Sequence, residues 1–462
     1  MLLVHMLHMQ RRAGLGVTER PAYHGSMNAP VTLPFWALAL LVAFAGVTFA
    51  SHFLFPSVRW FLRRRMERVV ARLNTRLKRP IEPFKLARRT DMIQRLIYDP
   101  EVTAAVVTHA REEGLREDVA FEQAKTYARE IVPGFSATLY FSVATRIAKW
   151  LSRAFYDIRM DGDPATVLAD VPEDACVIFV INHRSNMDYV LVTWLLARAS
   201  ALSYAVGEWA RVWPLSSLIK MMGAYFIRRK SRGALYRKVL AHYVQMATRG
   251  GVTQAFFPEG GLSLSGGIGA PRLGLLSYVM ADDPLRDRPV VFVPVALNYD
   301  RVLEDRILLA ADSTRRFRVP WGRIAWVSAG QLVQRITRRF RGYGVARVAI
   351  GQPLALSDWH GDVEELGHEL MARIASGVPV LPVPLVARLL LESDAPLAPR
   401  VQEALDDLRA RGRPAPLGAP ERIVEHAMDL LRTRDLVTED GRPTPGAEPL
   451  LKFYAKSIAH HF

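Results

Sequence analysis

The stretch C-V-I-F-V-I-N-H-R-S-N-M-D-Y, residues 176–189, decides how this chain is read. Its apolar run at 177–181 predicts a buried strand. The strand stops at a polar turn, and a second apolar run at 189–199 is long enough for a helix. His183 and Asp188 stand at the strand's exit, where a tight turn can set the carboxylate beside the imidazole. A carboxylate that fixes the tautomer of an imidazole, and stabilises the imidazolium that forms, turns it into a general base. No catalytic serine is required when the substrate brings its own hydroxyl. Ligands of α/β sheets bind outside the carboxyl ends of strands, which is where this pair falls. The same residues also fit a structural turn histidine with Asp188 as a helix N-cap. With 12 His in the chain, this stretch alone does not separate the two readings.

Length and composition set the frame. A chain of 462 residues, half of them apolar, has room for two or three domains and a large core. The one cysteine, Cys176, lies inside the predicted strand, which excludes a disulfide framework and a Cys-rich metal site and fits a reducing compartment. The net charge is +16, and residues 59–89 carry twelve Lys or Arg against two Glu. Such a basic segment points to nucleic acid or to anionic lipid. The adjoining apolar run favours lipid, and no nucleic-acid motif appears, so no nucleic-acid partner is expected.

Residues 1–30 read as a disordered N-terminus, with Met27 as an alternative start. Residues 31–55 lack any Lys, Arg, Asp or Glu and reach the lower length of a membrane-spanning helix, so a membrane anchor is expected there, single-pass or monotopic. Arg63, Arg64 and Arg65 follow, and the positive-inside rule puts the catalytic part on the cytoplasmic side of the cell membrane. Residues 56–158 are expected to be a helical, basic, membrane-surface region, with a basic amphipathic helix at 57–79. The aromatic helix pattern at 137–156 is read as packing and carries no chemistry.

Strands and helices alternate after Asp161, which predicts an α/β domain over 159–355: a mixed sheet flanked by helices. Its strands are expected at 176–181, 201–206, 223–227, 253–257, 290–297 and 345–350. Pro294 inside one of them argues for an edge strand or a bulge. Residues 356–462 read as a C-terminal helical domain.

Four short motifs stand at or near strand exits: N-H-R-S-N-M-D at 182–188, G-A-Y-F-I-R-R at 223–229, F-P-E-G-G-L-S at 257–263 and V-P-V-A-L at 293–297. Their order, spacing and content resemble the glycerolipid acyltransferase superfamily, and within it the bacterial membrane-bound glycerol-3-phosphate acyltransferase branch. P-R-L-G-L-L at 271–276 and F-Y-A-K-S-I-A-H at 453–460 look like later motifs of that branch. The resemblance covers the chain from about residue 90 to its end.

The resemblance implies a glycerol-3-phosphate acyltransferase-like fold and an O-acyltransferase of phospholipid biosynthesis. His183 would deprotonate the acceptor hydroxyl and Asp188 would orient it. Arg228 would hold the acceptor's phosphate, with Arg229 as a further contact. Glu259, Gly260, Gly261 and Ser263 would shape the acceptor pocket. Pro294 would set the last motif against the acyl donor. The implied partners are membrane lipids, acyl-CoA or acyl carrier protein as the donor co-substrate, and glycerol-3-phosphate or lysophosphatidate as acceptor; no cofactor and no metal is implied. One turn departs from the pattern: relatives often carry Arg on either side of the serine, where this chain has Leu262 and Leu264. Arg272 stands where it can compensate. The alternatives are acylation of lysophosphatidate, and a catalytically inactive membrane scaffold that keeps the fold.

Overall fold

A computed structural model of the chain describes residues 34–197, 199–207, 215–228, 233–281, 288–310 and 342–462, the side chains at 50–59, 62, 63 and 66 excepted. The expected N-terminal segment 1–30 and Arg229 lie outside these residues. Two compact units are distinguished, residues 1–67 and 68–462. The expected divisions at 158/159 and 355/356 therefore fall inside the second unit.

The second unit is built on one eight-stranded sheet. Its strands are β1 Asp157–Asp161, β2 Cys176–Ile181, β3 Ser203–Gly207, β4 Tyr225–Ile227, β5 Gln254–Phe256, β6 Val290–Tyr299, β7 Val345–Ile350 and β8 Leu354–Ala355. The order is β1-β7-β6-β2-β5-β3-β4, with β8 paired beside β7 on β6. Strands β2 to β6 run parallel to one another, and β7 and β8 run against β6. The mixed sheet expected from the alternation is thus present. Strand β1, D-I-R-M-D, had no apolar run to announce it; it pairs with β7 at the sheet's edge and keeps most of its side chains out of the core.

Burial on both faces explains why β2 and β6 read as continuous apolar runs. Side chains alternate across a strand. Val177, Phe179 and Ile181 enter one core, and Cys176, Ile178 and Val180 the other. Helices Met187–Leu196, Pro382–Glu392, Pro420–Arg432 and Glu448–Lys456 supply the first core. Helices Pro100–Glu112, Glu117–Ile131, Ala234–Arg249 and Val363–Gly377 supply the second. The C-terminal helices are therefore half of the sheet's cover. Without them residues 159–355 would leave an apolar face in water.

Pro294 is not at an edge, but the ladder is irregular beside it: Phe292 pairs with Leu354 and Val295 with Ile350, so two residues of β6 face three, as at a bulge. Pro294 lies in β6, between β2 on one side and β8 and β7 on the other, in register with Val180. The proline is tolerated because the neighbour changes there: Val291 and Phe292 pair with β8, whereas pairing with β7 starts at Val295. Pro294 O is used by Gly351 N at 2.8 Å.

Helix Phe35–Asn74 contains both the expected anchor's described part and the first part of the basic segment, and ends five residues short of the helix expected at 57–79. Its apolar portion, Phe35–Phe49, exposes Phe35, Trp36, Leu40 and Phe44. Among the described residues no single helix is long and apolar enough to cross a membrane.

The loop after β5 is fitted to the C-terminal helix. A Cβ at Gly266 would lie 1.9 Å from Phe453 O, and Gly266 has φ +81°, a conformation that side chains disfavour. At Gly274 a Cβ would meet nothing within 4 Å. Gly266→Ala is expected to destabilise the chain by about 3 kcal/mol or more, through clash and backbone strain. Gly274→Ala should stay within about 0.5 kcal/mol of the parent. Urea denaturation of both variants checks the contrast, and equal midpoints would refute the fit.

Candidate active site

Strand β2 ends at Ile181, and the next seven residues make the site. Asn182 keeps the turn on the sheet: its side chain donates to Leu297 O at 3.0 Å and accepts from Leu297 N at 2.9 Å, as a further strand residue would. The chain then curls back so that Asp188, in the first turn of helix Met187–Leu196, faces His183. His183 Nδ1 lies 2.8 Å from Asp188 Oδ2. The same oxygen accepts from the amides of Arg184 at 2.7 Å and Ser185 at 3.0 Å. Tyr299, the last residue of β6, donates its hydroxyl to the other oxygen, Oδ1, at 2.7 Å. Asp188 is fully buried and His183 is 1% exposed.

This geometry fixes the tautomer. An ionised carboxylate only accepts, so His183 carries its proton on Nδ1 and presents Nε2 as the acceptor. Nε2 makes no hydrogen bond among the described residues, whereas the ring is clamped. Phe257 stacks on it at 4.0 Å between centroids, and Tyr189 meets it edge-on at 5.4 Å. An imidazole held in this way can take a proton at one atom while the buried carboxylate at the other stabilises the imidazolium.

The turn after β5 closes against the first. Glu259 Oε1 accepts from His183 N at 2.9 Å, and Oε2 accepts from Gly269 N at 2.9 Å. Burial raises the Glu259 carboxyl above its ordinary range, and those two amides oppose the shift. Ser263 N donates to His183 O at 3.0 Å, and the Ser263 hydroxyl is taken up by Gly267 O at 2.5 Å. Gly260 has φ +69°, and a Cβ there would meet Arg272 Cγ at 2.8 Å. The glycine lets the stem of Arg272 lie across the turn, with Arg272 itself exposed. Gly261 continues the same turn. Thus His183, Asp188, Glu259, Gly260, Gly261, Ser263 and Arg272 belong to one pair of interlocked turns.

Arg228 is not part of that knot. It leaves β4, three strand positions from β2, roughly 14 Å away at the usual strand spacing. Its guanidinium is bonded to Glu130, Nε to Oε1 at 2.9 Å and Nη2 to Oε2 at 2.6 Å, between the rings of Tyr127 and Tyr236. Pro294 lies within β6, alongside Val180 rather than at the exit.

Three residues escaped the sequence reading. Glu304 is buried and accepts from Ser185 Oγ at 2.7 Å, Asn186 N at 3.2 Å and Asn186 Nδ2 at 3.1 Å. It therefore buttresses the His183–Asp188 turn from the far side. Asp305, beside it, is paired with Arg434 at 2.6 Å and bonded by Tyr454, which ties the buttress to the C-terminal helices. Arg184 is also buried: its Nη2 donates to Ser457 O at 3.0 Å, and burial pushes its pKa down to about 10. Arg184 Nε and Nη1 have no partner among the described residues. Nothing in the local sequence marks Glu304, because its role depends on a contact 119 residues distant. Among the described residues no group of His, Cys, Asp or Glu could hold a metal ion.

Comparison with known proteins gives the class first. Residues 166–298 match the model of a family described as Acyltransferase, a span that holds β2 to β5, both turns and most of β6. That stretch of the chain is therefore similar to the acyltransferase family. Its relatives then narrow the resemblance to bacterial glycerol-3-phosphate acyltransferases. It is 25% identical over 421 residues to the one from Pasteurella multocida, covering 82% of this chain and 51% of that protein. It is 26% identical over 359 residues to the one from Xanthomonas campestris, covering 71% of this chain and 39% of that protein. The chain spans about half the length, or less, of these relatives. A solved 1-acyl-sn-glycerophosphate acyltransferase from Thermotoga maritima matches 62% of this chain and 94% of its own at 17% identity and a TM-score of 0.33.

Burial lifts the Glu304 carboxyl above its ordinary 4.5, against the pull of its Ser185 and Asn186 bonds. A carboxyl with a raised folded pKa binds its proton more tightly in the folded chain. Its contribution to stability is then largest in acid and falls as pH rises from about 4.5 through the raised value. Glu304→Gln should flatten that fall, measured as denaturation midpoint against pH. An unchanged profile would exclude the buried carboxylate as its source.

Proposed function

We propose that the chain is an O-acyltransferase that moves an acyl group from an acyl thioester, acyl-CoA or acyl carrier protein, to the hydroxyl of glycerol-3-phosphate. The observation that carries this reading is the buried His183–Asp188 pair at the carboxyl end of β2. Its setting in a stretch similar to the acyltransferase family, and the names of the relatives, support the substrate class.

In this reading His183 Nε2 takes the proton of the acceptor hydroxyl while Nδ1–H stays bonded to Asp188. The hydroxyl oxygen attacks the thioester carbonyl carbon. The resulting tetrahedral centre collapses with loss of the C–S bond, and the imidazolium returns its proton to the departing thiolate. An ester and a free thiol result, and no cofactor is consumed. Arg272, exposed over Gly260 beside the His183 turn, is the guanidinium placed to meet the acceptor's phosphate. Arg228, already matched by Glu130, serves to hold β4 to helix Glu117–Ile131. Residues 31–55 anchor the chain at the cell membrane, with the catalytic unit on the cytoplasmic side. The absence of Lys, Arg, Asp and Glu from that run and the arginines that follow it support this.

Membranes carrying the full chain should convert labelled glycerol-3-phosphate and an acyl thioester to lysophosphatidate. His183→Ala should lower turnover roughly 10²- to 10⁴-fold, the usual loss for a general base. Turnover only with added lysophosphatidate would move the acceptor assignment; none with either acceptor would leave a scaffold.

Arg272→Ala should raise KM for glycerol-3-phosphate with kcat little changed. Arg228→Ala should instead lower stability by about 2 kcal/mol, the usual worth of hydrogen bonds to a charged group, because the paired bonds to the buried Glu130 are lost. The opposite pattern, with Arg228→Ala changing KM and Arg272→Ala silent, would return the phosphate to Arg228.

A further inference from the structure

The aromatic pattern at 137–156 reads as packing, which holds for the buried Tyr140 and Tyr156 but not for the exposed Trp150 among residues 139–155. They form a π-helical turn, Leu139–Ala144, running into helix Thr145–Phe155. The small side chains of Ala144, Ala148 and Ser152 face in, and the helix rests on helix Met187–Leu196. Val143 is 42% exposed, Ile147 50% and Trp150 53%. Arg146, Lys149 and Arg153 are exposed among them, and residues 134–155 contain no Asp or Glu.

We propose that this helix lies in the plane of an anionic phospholipid bilayer, as a second membrane contact of the catalytic unit. The apolar and cationic residues share one exposed side. Val143, Ile147 and Trp150 can enter the acyl boundary while Arg146 and Lys149 extend their charges to lipid phosphates. Tryptophan is suited to that depth, because one end of its ring is apolar and the other donates a hydrogen bond. The neighbouring chain continues the surface. Lys220 O accepts from Gly134 N and Met221 O from Ser136 N, which sets helix Leu215–Met221 beside the start of this segment with Leu218 and Met221 exposed. Val70, Leu73 and Leu77, from the end of the basic segment, pack with Tyr140 and Phe141. Arg72, Arg76 and Lys78, exposed on that stretch, are thus joined to this surface by direct packing.

The consequence for the site is positional. Helix Met187–Leu196, on which the surface helix rests, begins at the turn that carries Asp188. A bilayer touching Trp150 is therefore one helix layer away from the catalytic pair, where a product with one acyl chain would enter lipid. The proposal rests on the membrane-bound acyltransferase reading only for this consequence. Its test reads lipid contact and no turnover, so each can fail alone.

Cys176 is fully buried, so a cysteine introduced at Ile147 can be labelled selectively with an environment-sensitive fluorophore in the full chain. On vesicles of phosphatidylcholine with phosphatidylglycerol, the label at Ile147→Cys should shift to the blue and be quenched by lipid-borne quenchers. A label at Glu403→Cys, on an exposed C-terminal helix position, should not respond. The double variant Arg146→Glu, Lys149→Glu should abolish the response at position 147. A chain that sediments with the vesicles while the label at 147 stays unquenched overturns the proposal. So does equal quenching on pure phosphatidylcholine, or a response elicited only by an acidic carrier protein.

Discussion

One carboxylate organises the part of this molecule that holds the proposed site. Asp188 takes hydrogen bonds from His183 Nδ1, the amides of Arg184 and Ser185, and the hydroxyl of Tyr299, all without contact with water. A buried carboxylate is costly unless its lone pairs are met. Here four donors meet them, and each donor fixes something the site needs. The two amides hold the turn, Tyr299 ties it to β6, and His183 receives its tautomer and its direction. The helix that begins at Met187 matters to the chemistry chiefly because it delivers this side chain.

The rest of the unit is arranged to keep that carboxylate dry and its donors in place. Phe257 and Tyr189 close around the imidazole, and the turn after β5 is bonded back to the backbone of His183 through Glu259 and Ser263. Glu304 supports the turn from the other side. The C-terminal helices reach the same place twice, through Ser457 O on Arg184 and through Arg434 and Tyr454 on Asp305. This accounts for the placement of F-Y-A-K-S-I-A-H, which lies far from the first motif in the chain and packs against its surroundings in space. It also accounts for the lack of a domain boundary near residue 355: the helices beyond it are a wall of the same core.

The departures from expectation share one cause. Pro294 reads as an edge or bulge because a proline lacks one ladder donor, yet the strand is interior, and the irregularity beside it is made by the change of partner from β8 to β7. Arg228 reads as a phosphate ligand because it is a cation at a strand exit, yet Glu130 already meets it. Residues 137–156 read as packing because aromatics at helical spacing usually are, and Tyr140 and Tyr156 are buried so, yet Trp150 faces out with Val143 and Ile147. In each case local sequence states what a residue can do, and a distant segment decides whether it does so.

What the sequence settles by itself is whatever depends on near neighbours. The apolar run 177–181 makes a strand buried on both faces, the polar turn after it brings His183 within reach of Asp188, and strand–helix alternation makes an α/β sheet with its exits on one side. Strand periodicity and short turns are local matters, so they are legible in the order of residues; only β2 to β6 share an exit side, because β1, β7 and β8 run the other way. The tertiary structure alone decides which charges are already satisfied and which side chains meet from far along the chain. Tyr299 on Asp188, Glu304 on Ser185 and Glu130 on Arg228 are separated by 111, 119 and 98 residues. Their effect comes from the exclusion of water around each pair, and that is a property of the packed core.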